Sequence, residues 1–203
     1  MSYRFSTIPY TEMQMTLEKI LQLYKQNELI LDPAYQRDSV APKTWKKNFV
    51  PSWMSKICPS VLHFRKMKKG ETAGLYEVID GVQRITTLIE FLEDKFSCNP
   101  KDSIPYTGAD EVLPINLSAV KYSEMLKLQN GDMLKDVLLK QCVFNVIVYN
   151  EIMTEEEAAE IFRTINSATT QNHQELRQAT TLPLAQAVRL LARGITPNVN
   201  LGV

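Results

Sequence analysis

YEVIDGVQRITTLIEFL, residues 76–92, is the stretch on which the reading of this chain turns. Its first five residues alternate and are rich in β-formers, so they read as a strand ending at Asp80. Gly81 then allows a tight turn and a close backbone approach, because it has no Cβ. The spacing predicts a helix from about Ile85 to Phe96. A strand that turns into a helix within four residues aims free backbone N–H groups and the positive helix end at one spot. Polar residues collect there: Arg84 offers a two-pronged donor set for phosphate, and Thr86 and Thr87 offer hydroxyls. Asp80 has two available roles, magnesium ligand or partner of Arg84. A lone Asp-Gly-x-x-Arg is a weak pattern, and a helix start with a salt-bridged arginine would explain it equally well. The cluster Asp-Gly-x-Gln-Arg-x-Thr-Thr between apolar neighbours favours a site that holds a phosphate-bearing ligand.

Outward from this stretch, VLHFRKM (61–67) and LYEVID (75–80) read as strands around the turn KKGETAG. CVFNVIVY (142–149) reads as a buried strand. Met13, Leu17, Ile20, Leu21 and Tyr24 share a helical spacing that predicts a helix over 11–28, with Thr11 and Gln14 as a capping box. Pro33 makes 29–38 extended. Trp45, Phe49, Trp53 and Ile57 recur at helical spacing, broken or kinked near Pro51, and are expected in the core. Residues 97–117, rich in Pro, Asp, Ser and Gly, read as a surface loop, and helix is expected in parts of 118–139. Thr154 and Glu157 form a capping box for TEEEAAEIFRTI, which explains the acidic run without a metal. One or two helices are expected over 173–193, with Pro183 and LPLAQAVRLLA favouring plain packing over a helix-turn-helix. The tail TPNVNLGV is expected to be loosely held. The expected fold class is α/β, in a single domain over 1–203 with a helical C-terminal portion from about 151.

Composition narrows the function. The chain has 203 residues, 44% of them hydrophobic, with 23 basic and 23 acidic side chains. A neutral chain has no bulk field for nucleic acid, so any DNA contact is expected through a local basic patch. Cys58, Cys98 and Cys142 are odd in number and far apart, neither a disulfide framework nor a Cys-x-x-Cys site. With His63 and His173 as the two histidines, a histidine metal cage is excluded. No signal peptide or membrane span is read, and a cytoplasmic location is expected.

The same stretch is similar to the Asp-Gly-Gln-Gln-Arg-Leu-Thr-Thr-Leu signature of the GmrSD restriction endonuclease N-terminal domain family. Three further blocks agree in order. LILDPAYQRDSVAPKTW resembles the family's Pro-x-Tyr-Gln-Arg followed by tryptophan, VKYSEM a shorter match, and TEEEAAEIFRTINSATTQNHQELRQA its Phe-Arg-x-Ile-Asn and Glu-Leu-Arg-x-Ala blocks. The resemblance covers roughly residues 15–180. It implies a ParB/sulfiredoxin-like fold, a small mixed sheet flanked by helices. Related Gly-x-x-Arg motifs there hold a nucleotide's phosphates.

It also implies binding and hydrolysis of nucleoside triphosphates in nucleic-acid restriction or defence, and Asp80 makes Mg2+ the expected cofactor. By position, Asp80, Gly81, Gln83 and Arg84 match the signature, and Thr86 and Thr87 follow it. Asp80, Gln83 and Arg84 become catalytic candidates, with Asp80 also the metal candidate. Gly81, Arg84, Thr86, Thr87, Gln36, Arg37, Arg163 and Asn166 become phosphate-binding candidates. Tyr35, Phe162, Glu175 and Arg177 match the outer blocks. Val82 replaces the usual first glutamine, and Ala168 stands where glycine is common. No cysteine lies near Gly81 for sulfiredoxin chemistry, and two histidines make a His-Asn-His nuclease module unexpected. Two readings stand: an NTP or dNTP hydrolase or nuclease-related enzyme, and a non-catalytic DNA- or nucleotide-binding adaptor. A bare scaffold subunit is a third, weaker one. Expected partners are a nucleotide, DNA through a local patch, no membrane, and either a second copy or a separate nuclease subunit.

Overall fold

A computed structural model gives the fold and describes residues 8–31, 41–56, 58, 60–67, 75–99, 103–108, 111–116, 119–150, 154 and 156–166, with 103–108 and 111–116 as backbone only. The chain divides into two compact units, Met1–Ala159 and Glu160–Val203, each described by itself.

In the first unit a five-stranded sheet has the order β1-β7-β3-β4-β2. Its strands are β1 (Tyr10–Thr16), β2 (Leu29–Ile30), β3 (Val61–Lys66), β4 (Tyr76–Asp80) and β7 (Val143–Tyr149). β1–β7 and β3–β4 are antiparallel; β7–β3 and β2–β4 are parallel. Directly opposed residues lie on one face of a sheet. Met15, Leu62, Phe64, Val78, Phe144, Val146 and Val148 therefore share a face, and all are buried. Helices α1 (Leu17–Lys25), α2 (Lys43–Met54) and α3 (Val82–Leu92) cluster with this face through Leu17, Ile20, Phe49, Trp53, Ile85, Leu88 and Phe91. The mixed sheet with flanking helices is the expected α/β class.

The register puts a different set on the other face: Val61, His63 and Arg65 of β3, Glu77 and Asp80 of β4, and Asn145, Ile147 and Tyr149 of β7. A bulge between His63 and Phe64 shifts the β3–β4 ladder just before the strand ends at Asp80.

Several elements differ from expectation. Residues 10–16 form a strand, and the first helix starts only at Leu17. Thr11, Met13 and Met15 alternate with Glu12 and Gln14, and a seven-residue ladder with β7 selects that period of two over the helical one. The cap is Thr16, whose Oγ1 accepts the Lys19 N–H at 3.2 Å. Residues 103–108 (β5) and 111–116 (β6) form an antiparallel pair where a loop was expected, with Pro105 opposite Pro114. A two-stranded sheet is all edge, so prolines need not break its ladder.

Among the aromatics of α2, Trp53 and Phe49 are core, whereas Trp45 is 38% exposed and stacks on Phe49 at 4.8 Å. Ile57 lies outside the described residues. Pro51 sits inside α2 without ending it. It has no N–H for the Lys47 carbonyl, and the Asn99 N–H takes that place at 3.2 Å.

Short helices α4 (Tyr122–Met125) and α5 (Gly131–Asp136) and a π-turn (Val137–Gln141) fill the expected helical stretch. Trp53 stacks on Phe144 at 4.0 Å, and the Cys142 thiol faces the Trp53 carbonyl at 3.4 Å. The helix over 156–166 opens with the expected capping box: the Glu157 N–H donates to Thr154 Oγ1 at 3.2 Å, and the Thr154 N–H to Glu157 Oε2 at 2.8 Å. No described helix is long and apolar enough to cross a membrane.

Candidate functional site

β4 ends at Asp80, and α3 begins at Val82, with Gly81 between them as its cap. Gly81 has φ 108° and ψ 4°, a left-handed conformation that side chains with a Cβ rarely adopt. A Cβ here would also run into Leu62 Cδ2, part of the sealed core. Glycine is thus required twice over, by dihedral and by space. The Gly81 carbonyl accepts the Arg84 N–H at 3.0 Å and the Ile85 N–H at 3.1 Å, which starts the helix three residues earlier than its apolar spacing indicates.

Glycine brings no capping side chain, and the first turn of α3 contains no acidic residue. It contains a cation instead. Arg84 sits where the helix dipole disfavours positive charge, and Asp80 offsets this by accepting Arg84 Nη2 at Oδ2, 2.5 Å away. Both side chains are mostly buried. The guanidinium is pinned from the strand side, so part of its ordering cost is met before any ligand arrives.

The two threonines are engaged differently. Thr86 Oγ1 donates to the carbonyls of Val82 at 2.8 Å and Gln83 at 3.2 Å. Thr87 is fully buried, and its Oγ1 has no hydrogen-bond partner. Gln83 lies in the same first turn, half-buried.

The turn has neighbours that the sequence reading passed over. His63 is the register partner of Asp80 across the bulge. Its Nδ1 lies 3.1 Å from the Tyr149 hydroxyl, and the two rings lie 18° from parallel with centroids 6.0 Å apart. Tyr10 meets Tyr149 edge-on at 6.3 Å. Burial pushes the His63 pKa down from its usual value; Asp80 pulls it up and Arg84 pushes it further down.

Two residues along, Arg65 and Glu77 pair across the strands at 2.6 Å, both buried. Such a pair is strongly destabilising to break from one side, by about 3–5 kcal/mol. The signal was present in β3 and β4, where His63, Arg65 and Glu77 occupy the positions that alternate with Leu62, Phe64 and Val78. Cys58 also feels the Arg84 charge, but burial dominates and raises its thiol to about 11.

The turn therefore brings together Asp80, Gly81, Gln83, Arg84, Thr86 and Thr87. Gln36 and Arg37 lie outside the described residues, as do Tyr35, Glu175 and Arg177. Arg163 and Asn166 belong to the second unit. There Arg163 is exposed and pairs with Glu160 at 3.2 Å, and Asn166 Nδ2 donates to the Phe162 carbonyl at 2.8 Å. Among the described residues no group of three or more His, Cys, Asp or Glu could hold a metal. An open groove of about 450 Å³ along α1, lined by Glu18, Leu21, Gln22, Lys25, Gln26 and Leu139, contains none of the turn's residues.

No curated protein and no solved structure matches the chain. A family model does match, over residues 17–182, which include the turn, both strands of its hairpin and the helix over 156–166. The chain belongs to the family described as the GmrSD restriction endonuclease, N-terminal domain, and with it to a restriction-related role.

Proposed function

We propose that the turn binds the phosphates of an NTP or dNTP and that the domain hydrolyses it in the service of nucleic-acid restriction. One observation carries this reading: a left-handed glycine, which brings no capping side chain of its own, and an aspartate-clasped arginine stand together at a helix start. Backbone N–H groups of the first turn and Arg84 would bind the phosphate oxygens, where the helix dipole favours negative charge. Gln83 would orient the attacking water. Thr86 would add a donor by rotating its hydroxyl away from the Val82 carbonyl. Buried Thr87 would support the turn from the core side. Gln36, Arg37, Arg163 and Asn166 are phosphate-binding candidates by their match to the other family blocks alone.

The residues fit a magnesium ion of the kind that needs one carboxylate plus the substrate's own phosphate oxygens. Asp80, which also accepts from Arg84, would hold it. Bound there, the metal would neutralise phosphate charge; among the described residues a cage built from protein ligands alone is not on offer.

A second reading is favoured by one position. Val82 stands where the family signature has glutamine, so an amide contact is missing, and the domain would then bind nucleotide or DNA as an adaptor without cleaving. Phosphate release from ATP, GTP and their deoxy forms with Mg2+ separates the two. Release that disappears in Gln83→Ala supports the hydrolase. Binding without release supports the adaptor.

A further inference from the structure

His63, Asp80 and Tyr149 stand on one face of the sheet, on three adjacent strands, and Arg84 reaches Asp80 from the helix that follows. His63 is directly opposite Asp80. Its Nδ1 is occupied by the Tyr149 hydroxyl at 3.1 Å. When a tyrosine O–H donates to Nδ1, the imidazole proton resides on Nε2, the ring nitrogen farther from the backbone. The near-parallel stack on Tyr149, itself backed by Tyr10, fixes the plane of the ring.

We propose that His63, oriented by Tyr149, is a further ligand-binding residue of the turn, donating its Nε2–H to a phosphate oxygen of the nucleotide. The proposal rests on the phosphate-binding reading above and adds to it a neutral donor from a different strand. A neutral donor suits this place, because a second cation beside Arg84 would be repelled. Tyr149 would be a positioning residue, acting through the ring.

The chain has two histidines, so imidazole 15N spectra are simple to read, and His173→Gln assigns them. The probe is sodium tripolyphosphate, the part common to all NTPs. In the wild-type protein His63 is expected as the Nε2–H tautomer, with its Nε2 resonance moving as tripolyphosphate is added. Tyr149→Phe should mix the tautomers and weaken binding. His63→Phe should weaken binding about tenfold, the worth of a hydrogen bond to a charged group. His63→Gln, which keeps a side-chain N–H, should recover part of the loss and guards against a folding defect.

If Arg84→Ala loses the probe while His63→Phe and His63→Gln bind like wild type and the Nε2 resonance stays still, the His63 proposal is overturned and the phosphate site survives. If the wild-type protein binds no tripolyphosphate, ATP or GTP, both are overturned.

Discussion

At residue 154 a threonine opens a helix by accepting the Glu157 N–H, and Glu157 returns the favour to the threonine N–H. Thr16 does half of this for α1, with Glu18 in the first turn. At residue 81 the same task falls to a glycine with no side chain, in a left-handed conformation, followed by a cation. The first two arrangements satisfy orphan donors and suit the helix dipole. The third has neither a capping side chain on its cap residue nor an acidic first turn. On the phosphate-binding reading proposed above, a helix N-terminus next to an anchored arginine is where an anion is favoured, so the contrast sets a start built for stability against one proposed to take a ligand.

The largest effect should come from Gly81. In Gly81→Ala the left-handed backbone and the crowding against Leu62 add up to a loss of roughly 2–5 kcal/mol, read from urea unfolding. An unchanged midpoint would break the contrast at its base. Thr154→Ala should cost about 1 kcal/mol and leave tripolyphosphate affinity untouched. A loss of affinity there would mean that the capped start also serves the ligand.

The smallest effect concerns pH. The folded-state pKa of His63 lies below its unfolded value of about 6.5, so between the two values the unfolded chain binds the extra proton. The stability contributed by this group is therefore complete above about pH 6.5 and falls as the pH drops from there towards the folded pKa. His63→Gln should flatten that limb of the urea-midpoint profile. Equal slopes in both proteins would show that other groups set it.

Much of this was legible in the sequence because it is local. The hairpin strands, the Gly81 turn and the Thr154–Glu157 box follow from residues within a few positions of one another. What escaped depends on partners far along the chain. Residues 10–16 carry two periodicities, and only the β7 ladder chooses between them. The β5–β6 pair was hidden by prolines that an all-edge sheet tolerates. Trp45 and Trp53 share a spacing but not an environment, since the latter alone meets Phe144 across 91 residues of chain. The Asp80–Arg84 clasp was anticipated as one of two roles for Asp80, being an i,i+4 contact. His63 and Tyr149 were missed because nothing in the sequence brings positions 63, 80 and 149 together; only the sheet order does.

The central claim is that an anionic phosphate group sits on the Gly81–Arg84 turn. Isothermal titration of the wild-type protein and Arg84→Ala with tripolyphosphate tests it without any assumption about cleavage or base. The account predicts a loss of about 1.5–3 kcal/mol of binding in the variant, roughly 10- to 150-fold in affinity, measured where the variant is still folded, since removing the partner of the mostly buried Asp80 also lowers the unfolding midpoint. A folded Arg84→Ala protein that binds the probe as tightly as wild type would contradict it.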